Sequence, residues 1–203
     1  MSRERVSEFV ARASVGVLFV LLSINLLADF LHTHHVTGIF LLISEALVVV
    51  FTVVRRRAQL IDRSVAAAIA TTVSMAAPPL FRAGGDVGLV ADELTALVSI
   101  AGLSLAIAGK LALGRSFGIM PANRGVVARG PYLLVRHPIY TGYVITHLAF
   151  LAARPQPANI VIALCADGAL IARALFEERV LGRDERYRAY CRRVGWHLVP
   201  GVF

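Results

Sequence analysis

The sequence predicts an all-α fold, a polytopic transmembrane helical bundle of five to six spans, and three observations lead to this prediction. First, 57% of the 203 residues are hydrophobic and the mean hydropathy is +0.70, whereas soluble domains are about 45–50% apolar. Second, the apolar residues form several runs close to the length of a membrane span. Third, the basic residues concentrate in alternate connections between these runs. We therefore treat residues 1–203 as a single integral membrane domain.

Two apolar runs begin the chain. Val15–Phe30 is short for a span, which takes about 20 residues, but apolar residues before it can extend it. The connection His32–His35 holds three histidines without an acidic or cysteine partner, and we interpret it as a solvated loop rather than a zinc site. The second run, Ile39–Val54, contains Glu45. A carboxylate inside a span must be paired, protonated or hydrated, so Glu45 bonds to a neighbouring helix, lies near the lipid headgroups or contacts a functional site.

The next two runs differ in how they end and pack. Val65–Phe81 is ended or broken by consecutive prolines at 78 and 79, which lack the backbone N–H that a helix interior needs. The fourth run, Glu93–Leu113, carries small residues three to four apart, which share one helix face and allow a second helix to approach closely. These small residues are Gly102, Ala106 and Gly109.

The longest polar interval, residues 114–136, separates the fourth run from the fifth. A loop of this length in a small membrane protein indicates a function beyond connection. Pro138 disfavours a helical conformation at His137 and suits the first turn of a helix. A helix is therefore predicted to begin near Pro138, where its free N–H groups favour anionic ligand groups.

The last two runs, Ile139–Ala152 and Ala158–Leu175, are joined by a short connection and are predicted to form an antiparallel hairpin. This hairpin brings Tyr140 and Arg173 to the same membrane face, because each lies at the open end of its helix. Two further polar residues lie inside the hairpin, where we predict interhelical hydrogen bonds: His147 and Asp167. The charged segment Leu181–Val194, with two tyrosines among arginines, predicts an interfacial helix.

The distribution of basic residues predicts the orientation. With six spans and both termini on one side, 19 of the 21 basic residues fall on that side, and only Arg82 and Arg154 on the other. Cytoplasmic connections carry the excess of Lys and Arg, so both termini are predicted to be cytoplasmic. The small, basic chain is typical of a protein of the bacterial inner membrane. Orientation accounts for the net charge of +8 without a nucleic-acid partner, and five spans remain an alternative.

Two polar clusters meet at the predicted cytoplasmic face. Arg173 and Glu177 stand at i and i+4 and share a helix face, close to the segment His137–Tyr140. Together they offer a cation, a carboxylate, an imidazole and a phenol beside lipid, which suits a polar cofactor and an amphipathic substrate. The sequence contains no HExxH, P-loop or GxGxxG pattern, so these motifs give no support to a metalloprotease, a nucleotide hydrolase or a dinucleotide-binding fold.

These clusters resemble the signature of a known family. The segments Gly130–Tyr132 and Val135–Gly142 are similar to the GxY…RHPxYxG motif of the isoprenylcysteine carboxyl methyltransferase family, whose broader group includes phospholipid N-methyltransferases. A second motif of that family, RxxxEExxL…YxxY…V…P, resembles a set of residues downstream: Arg173, Glu177, Glu178, Leu181, Tyr187, Tyr190, Val194 and Pro200. The resemblance covers about residues 114–200.

The resemblance implies S-adenosylmethionine-dependent methyl transfer to a lipophilic acceptor, an isoprenylcysteine-like or other lipid-linked carboxylate. Residues 93–203 would form the catalytic core with a cytoplasmic cofactor pocket, and residues 1–92 the N-terminal spans. Arg173 would face the substrate carboxylate, and Glu178 would be the second catalytic residue, without a metal. The implied cofactor contacts are Val126, Val127, Tyr132, His137, Pro138, Ile139, Tyr140 and Glu177.

Two other functions remain open at this stage. A membrane reductase of the sterol-reductase type shares parts of the RHP…Y pattern but uses a nicotinamide cofactor, and its larger pockets need a longer chain. A non-catalytic membrane scaffold or carrier would tolerate substitution of Arg173, Glu177 and His137. For an amine or thiol acceptor, a base is required, and Glu178 or His137 would be the candidates. The sequence does not define the oligomeric state.

Overall fold

The computed structural model describes Ile24, residues 36–82 and residues 88–202. The run Val15–Phe30 (apart from Ile24), the connection His32–His35 and most of the loop that follows Arg82 lie outside these residues. The described chain is mostly helical, as predicted, and almost without strand. Its six α-helices are α1 (Val36–Val54), α2 (Val65–Ala76), α3 (Asp92–Leu113), α4 (Pro138–Ala153), α5 (Pro157–Leu181) and α6 (Glu185–Cys191).

Three of these six helices are long and apolar enough to cross a membrane. They are α1, α3 and α5, with qualifying segments Thr37–Val54, Asp92–Ser116 and Pro157–Leu181. The helices α2 and α4 are apolar but shorter. The coarse prediction of a helical membrane protein is therefore confirmed by length and composition within the described residues.

Several predicted boundaries agree with the structure, and two do not. Pro78–Leu80 forms a single 3₁₀ turn after α2, as the paired prolines predict, and α4 begins at Pro138. The helix predicted to end at Leu175 continues to Leu181, because the Arg, Glu and Leu residues beyond the apolar run are good helix formers. The predicted interfacial helix Leu181–Val194 is wrong in extent.

The shorter α6 has a local cause at its start. Gly182 ends α5, and the Asp184 side chain accepts the Arg186 N–H and caps a new helix. That cap accounts for a break that the charge pattern alone did not predict. After Cys191 the chain turns back, so that the backbone N–H groups of Arg136 and His137 bond to the carbonyls of residues 196 and 197.

Close contact between α3 and α4 fixes the centre of the bundle. A Cβ atom added to Gly102 would lie 2.7 Å from the Gly142 carbonyl oxygen and 2.7 Å from the Thr146 Oγ1. One added to Gly109 would lie 2.8 Å from the Ile139 side chain. The small-residue face predicted for this helix is thus confirmed as a packing surface.

The predicted hairpin of α4 and α5 is also present. The Tyr140 hydroxyl donates to Glu177 at one level, and the His147 Nδ1 lies 2.6 Å from Asp167 Oδ1 at a second level. Residue numbers rise along α4 while they fall along α5, so the two helices are antiparallel. The interhelical hydrogen bond predicted for the inner polar pair is confirmed.

A small ladder holds the long polar interval against the α1–α2 connection. Strands β1 (Leu60–Ile61) and β2 (Ala122–Asn123) pair in antiparallel register. The Arg56 N–H also bonds to the Arg115 carbonyl at 2.7 Å. The interval 114–136 is therefore fastened to the first half of the chain as well as to the helices that flank it.

A first prediction concerns the α3–α4 contact. Replacing Gly102 by alanine is expected to lower stability by about 1–3 kcal/mol, since an added methyl group would meet the backbone of a neighbouring helix. Gly168→Ala on α5 is the matched control, because its Cβ would meet no atom within 4 Å and alanine favours the helix. Thermal unfolding midpoints in one detergent measure the difference. Equal midpoints for the two variants would contradict the proposed role of this contact.

Candidate active site

A cavity of about 740 Å³ runs along α4. Tyr140, Tyr143, His147 and Phe150 all line it and stand three to four residues apart, on one helix face. From the first of these residues to the last, the rise of a helix covers about 15 Å. Apolar side chains from other parts of the chain add to the lining, among them Leu41, Val48, Met75, Phe81 and Leu103.

Eight of the ten residues predicted for the site line this cavity: Val126, Val127, Tyr132, His137, Ile139, Tyr140, Arg173 and Glu177. The remaining two, Pro138 and Glu178, are not part of the lining. Pro138 is fully buried at the first position of α4. Most of the residues predicted for the site therefore line one cavity, and Glu178 lies outside its lining.

Tyr140 is the centre of a polar cluster at the beginning of α4. Its hydroxyl donates to the Glu177 carboxylate, and its ring lies parallel to the His137 ring at a centroid distance of 5.5 Å. The Arg173 guanidinium lies 5.3 Å from the Tyr140 ring centroid, and its Nε is 3.7 Å from Glu177 Oε1. A carboxylate, a cation and an aromatic face thus meet at one end of the cavity.

Arg173 also holds the polar interval in place. Its Nη2 donates to the Ile119 carbonyl and lies 3.5 Å from the Gly118 carbonyl. The residue is buried, with 7% of its surface exposed. A guanidinium enclosed in this way keeps a fixed position, so the arginine both lines the cavity and anchors the loop that covers it.

Glu178 binds three cationic or imidazole groups. Its Oε2 lies 3.2 Å from Arg136 Nη1, and its Oε1 lies 3.0 Å from His137 Nε2 and 2.7 Å from His197 Nδ1. The backbone adds two hydrogen bonds of 2.9 Å, from the Arg136 and His137 N–H groups to the carbonyls of Trp196 and His197. This carboxylate therefore fastens the C-terminal segment over the start of α4.

Glu178 and its two histidine partners are the one group in the described ranges with the geometry to hold a metal ion. Ligand atoms of His137, Glu178 and His197 lie within 4.8 Å of one another. Arg136 Nη1 lies 3.2 Å from Glu178 Oε2, so one oxygen of that carboxylate is already paired with a cation of the protein. The arrangement is accounted for as a hydrogen-bonded ion-pair network.

Two tyrosines and a buried arginine also line the cavity. The Tyr190 hydroxyl donates to the Tyr132 carbonyl at 2.7 Å, which joins α6 to the turn before α4. Burial raises the pKa of the Tyr132 and Tyr190 hydroxyls far above the usual range, so both stay neutral donors. Burial lowers the pKa of Arg124 to about 10, which leaves its guanidinium charged at neutral pH.

Three residues at or near the cavity were not predicted from the sequence. Lys110 is fully buried and borders it, and its available signal was that it is the only lysine of the chain, inside an apolar helix. Arg124 lines the cavity from the loop 114–136. Several arginines lie in that loop, and no sequence pattern distinguishes this one from the others. His197 reaches Glu178 from the C-terminal segment, and no local pattern predicts that contact.

No protein-family model matches this chain, and neither a curated protein nor a solved structure matches it.

A second prediction concerns the C-terminal segment. Glu178→Gln is expected to loosen it, at a cost of about 1–2 kcal/mol for charge-assisted hydrogen bonds that are partly exposed. Trp196 is the only tryptophan, so acrylamide quenching of its fluorescence measures the change, and quenching should rise. Glu185→Gln is the matched control, since that side chain is 91% exposed. Equal quenching of both variants would contradict the role assigned to Glu178.

Proposed function

We propose that the protein is an S-adenosylmethionine-dependent methyltransferase that acts in a membrane on a lipophilic acceptor, most simply a lipid-linked carboxylate. One observation carries the proposal. The cavity extends from the polar cluster around Tyr140 and Glu177 along about 15 Å of α4, and its lining there is mostly apolar, with Glu45, Lys110 and His147 as polar members. A polar cofactor and an apolar acceptor chain therefore have adjacent places in one cavity, whose volume of about 740 Å³ lies within the range of roughly 300–1,000 Å³ of ligand sites.

The cofactor end suits a positively charged ligand with an apolar body. Glu177 supplies a carboxylate, and the Tyr132 ring supplies an aromatic surface that attracts a sulfonium, whereas the Tyr140 ring already contacts His137 and Arg173. Val126 and Val127 add apolar contacts from the covering loop. When bound, the cofactor supplies an activated methyl group, and the protein contributes positioning and exclusion of water.

The protein groups favour an acceptor that is already ionised. Glu178 is engaged by Arg136, His137 and His197, and the two ring nitrogens of His137 lie 3.8 Å from Glu177 and 3.0 Å from Glu178. Neither residue is therefore well placed as a free base. A carboxylate acceptor needs none, and Arg173 is the cation that would hold it. Glu178 then acts as a positioning residue.

The location follows from charge and hydropathy. We propose five or six spans in a bacterial inner membrane, with the termini and the cofactor end of the cavity in the cytoplasm. The excess of basic residues in alternate connections supports this orientation. The acceptor would enter from the lipid, with its apolar chain along α4.

A third prediction tests the cofactor. Isothermal titration of S-adenosylmethionine into detergent-purified protein is expected to give micromolar binding, and Glu177→Gln and His137→Ala are expected to weaken it about tenfold or more, since each loses a charged or stacked contact. Glu185→Gln is the matched control for an exposed glutamate and should bind like the wild type.

The contrary outcome is equally defined. If the folded wild-type protein shows no heat of binding with S-adenosylmethionine, the methyltransferase proposal fails, and nicotinamide cofactors are titrated next. If Glu177→Gln binds as tightly as Glu185→Gln, the cofactor does not lie against Glu177.

A fourth prediction separates acceptor from cofactor binding. Arg173→Lys keeps a positive charge but loses the two-pronged grip on a carboxylate. With N-acetyl-farnesylcysteine as acceptor and methyl ester formation as the readout, kcat/KM should fall about tenfold to a hundredfold. The Kd for S-adenosylmethionine should stay within about twofold of the wild type. If Arg173→Lys weakened cofactor binding, and kcat/KM fell only as far as that weakening explains, the roles assigned to Arg173 and Glu177 would be reversed.

A further inference from the structure

A second polar group lies deeper in the cavity, at Glu45 and Lys110. Ser44, which Lys110 contacts, stands ten residues before the end of α1 at Val54, and this distance corresponds to about 15 Å of helix. That is about half of the roughly 30 Å hydrocarbon thickness of a bilayer. Ionisable side chains at such depth are costly, and they commonly mark sites of function.

Lys110 is fully occupied by the protein. Its Nζ donates to the Ser44 carbonyl at 2.8 Å and contacts the Ser44 Oγ at 2.7 Å, and only 1% of its side chain is accessible. It lies 3.9 Å from Glu45 Oε1 and 5.2 Å from the Tyr143 ring centroid. Lys110 therefore supplies a fixed positive charge beside Glu45 and is not itself a ligand contact.

Glu45 is less completely engaged. It lines the cavity, 14% of its side chain is accessible, and its closest polar contacts among the described residues are long. Tyr143 Oη lies 3.5 Å from Glu45 Oε1, and Lys110 Nζ lies 3.9 Å from the same atom. A carboxylate has about four lone-pair positions, and leaving them unused in an apolar site costs free energy. The geometry leaves room for a donor from a ligand.

The level of Glu45 is close to that of the cofactor end. Tyr143, its partner, stands one helical turn beyond Tyr140, at a rise of about 4.5 Å, and both line the same cavity. One acceptor molecule can therefore contact the Arg173–Glu177 cluster and Glu45 together. Because Lys110 already balances the charge of Glu45, an uncharged donor fits better than a second cation.

We propose that Glu45 forms a subsite for an uncharged hydrogen-bond donor, a hydroxyl in its simplest form, on a lipophilic carboxylic acid whose carboxylate lies at Arg173. Lys110 positions and neutralises Glu45. The assignment of the carboxylate rests on the proposed function, whereas the subsite itself can be tested by binding without methyl transfer.

Binding of palmitate and of its β-hydroxy and δ-hydroxy derivatives to the detergent-purified full chain tests this subsite. A scintillation proximity assay with tritiated acids gives each Kd. The wild type is expected to bind at least one hydroxy acid about tenfold more tightly than palmitate. Glu45→Gln should reduce this ratio, and Glu93→Gln, an exposed glutamate of α3, should keep it.

A double variant guards against misfolding of the single one. Glu45→Met with Lys110→Met replaces the buried pair by apolar groups of similar size, a change that proteins often tolerate, and the preference should be abolished. Equal binding of all acids by the wild type, or no binding of any, overturns the subsite. So does a preference that survives in the double variant.

Failure of the proposed function gives a different result. A hydroxyl preference that depends on Glu45, in a protein that does not bind S-adenosylmethionine, supports the subsite and refutes the methyltransferase. Cofactor binding without any hydroxyl preference refutes the subsite alone.

Discussion

Two adjacent carboxylates at the end of α5 hold the site together. Successive helical residues point about 100° apart, so Glu177 faces the cavity and Tyr140, while Glu178 faces the C-terminal segment. His137 lies between them and contacts both. One helical turn thereby orients the polar end of the cavity, the start of α4 and the C-terminal segment, and all three depend on α5 remaining helical to Leu181.

The local parts of the site could be predicted from the sequence, because they follow from spacing and backbone chemistry. The i, i+4 relation of Arg173 and Glu177, the helix start at Pro138 and the antiparallel hairpin with its His147–Asp167 pair all depend on nearby residues. The extent predicted for α6 was wrong because the charge pattern of this segment is continuous, whereas the Asp184 side chain caps a new helix within it. Capping is itself local, and the sequence contained this signal.

Contacts between distant segments were beyond such reasoning. Lys110 and Ser44 are 66 residues apart, and His197 meets Glu178 only because the chain folds back after α6. A single sequence shows that a lysine or a histidine is unusual, but its partner depends on the packing of helices. Within the described residues, the polar network at the cavity is built mainly from such long-range pairs.

The ladder between β1 and β2 bears on how far the protein can be divided. Residues 93–203 carry both sequence motifs, yet β1 and the cavity residues Leu41, Glu45 and Val48 come from the first half of the chain. A fragment that begins at α3 would keep both motifs. It would lose the cavity residues of α1, together with strand β1, which pairs with β2 in the loop 114–136. A fragment meant to keep this cavity and its supporting ladder therefore has to include α1 and β1.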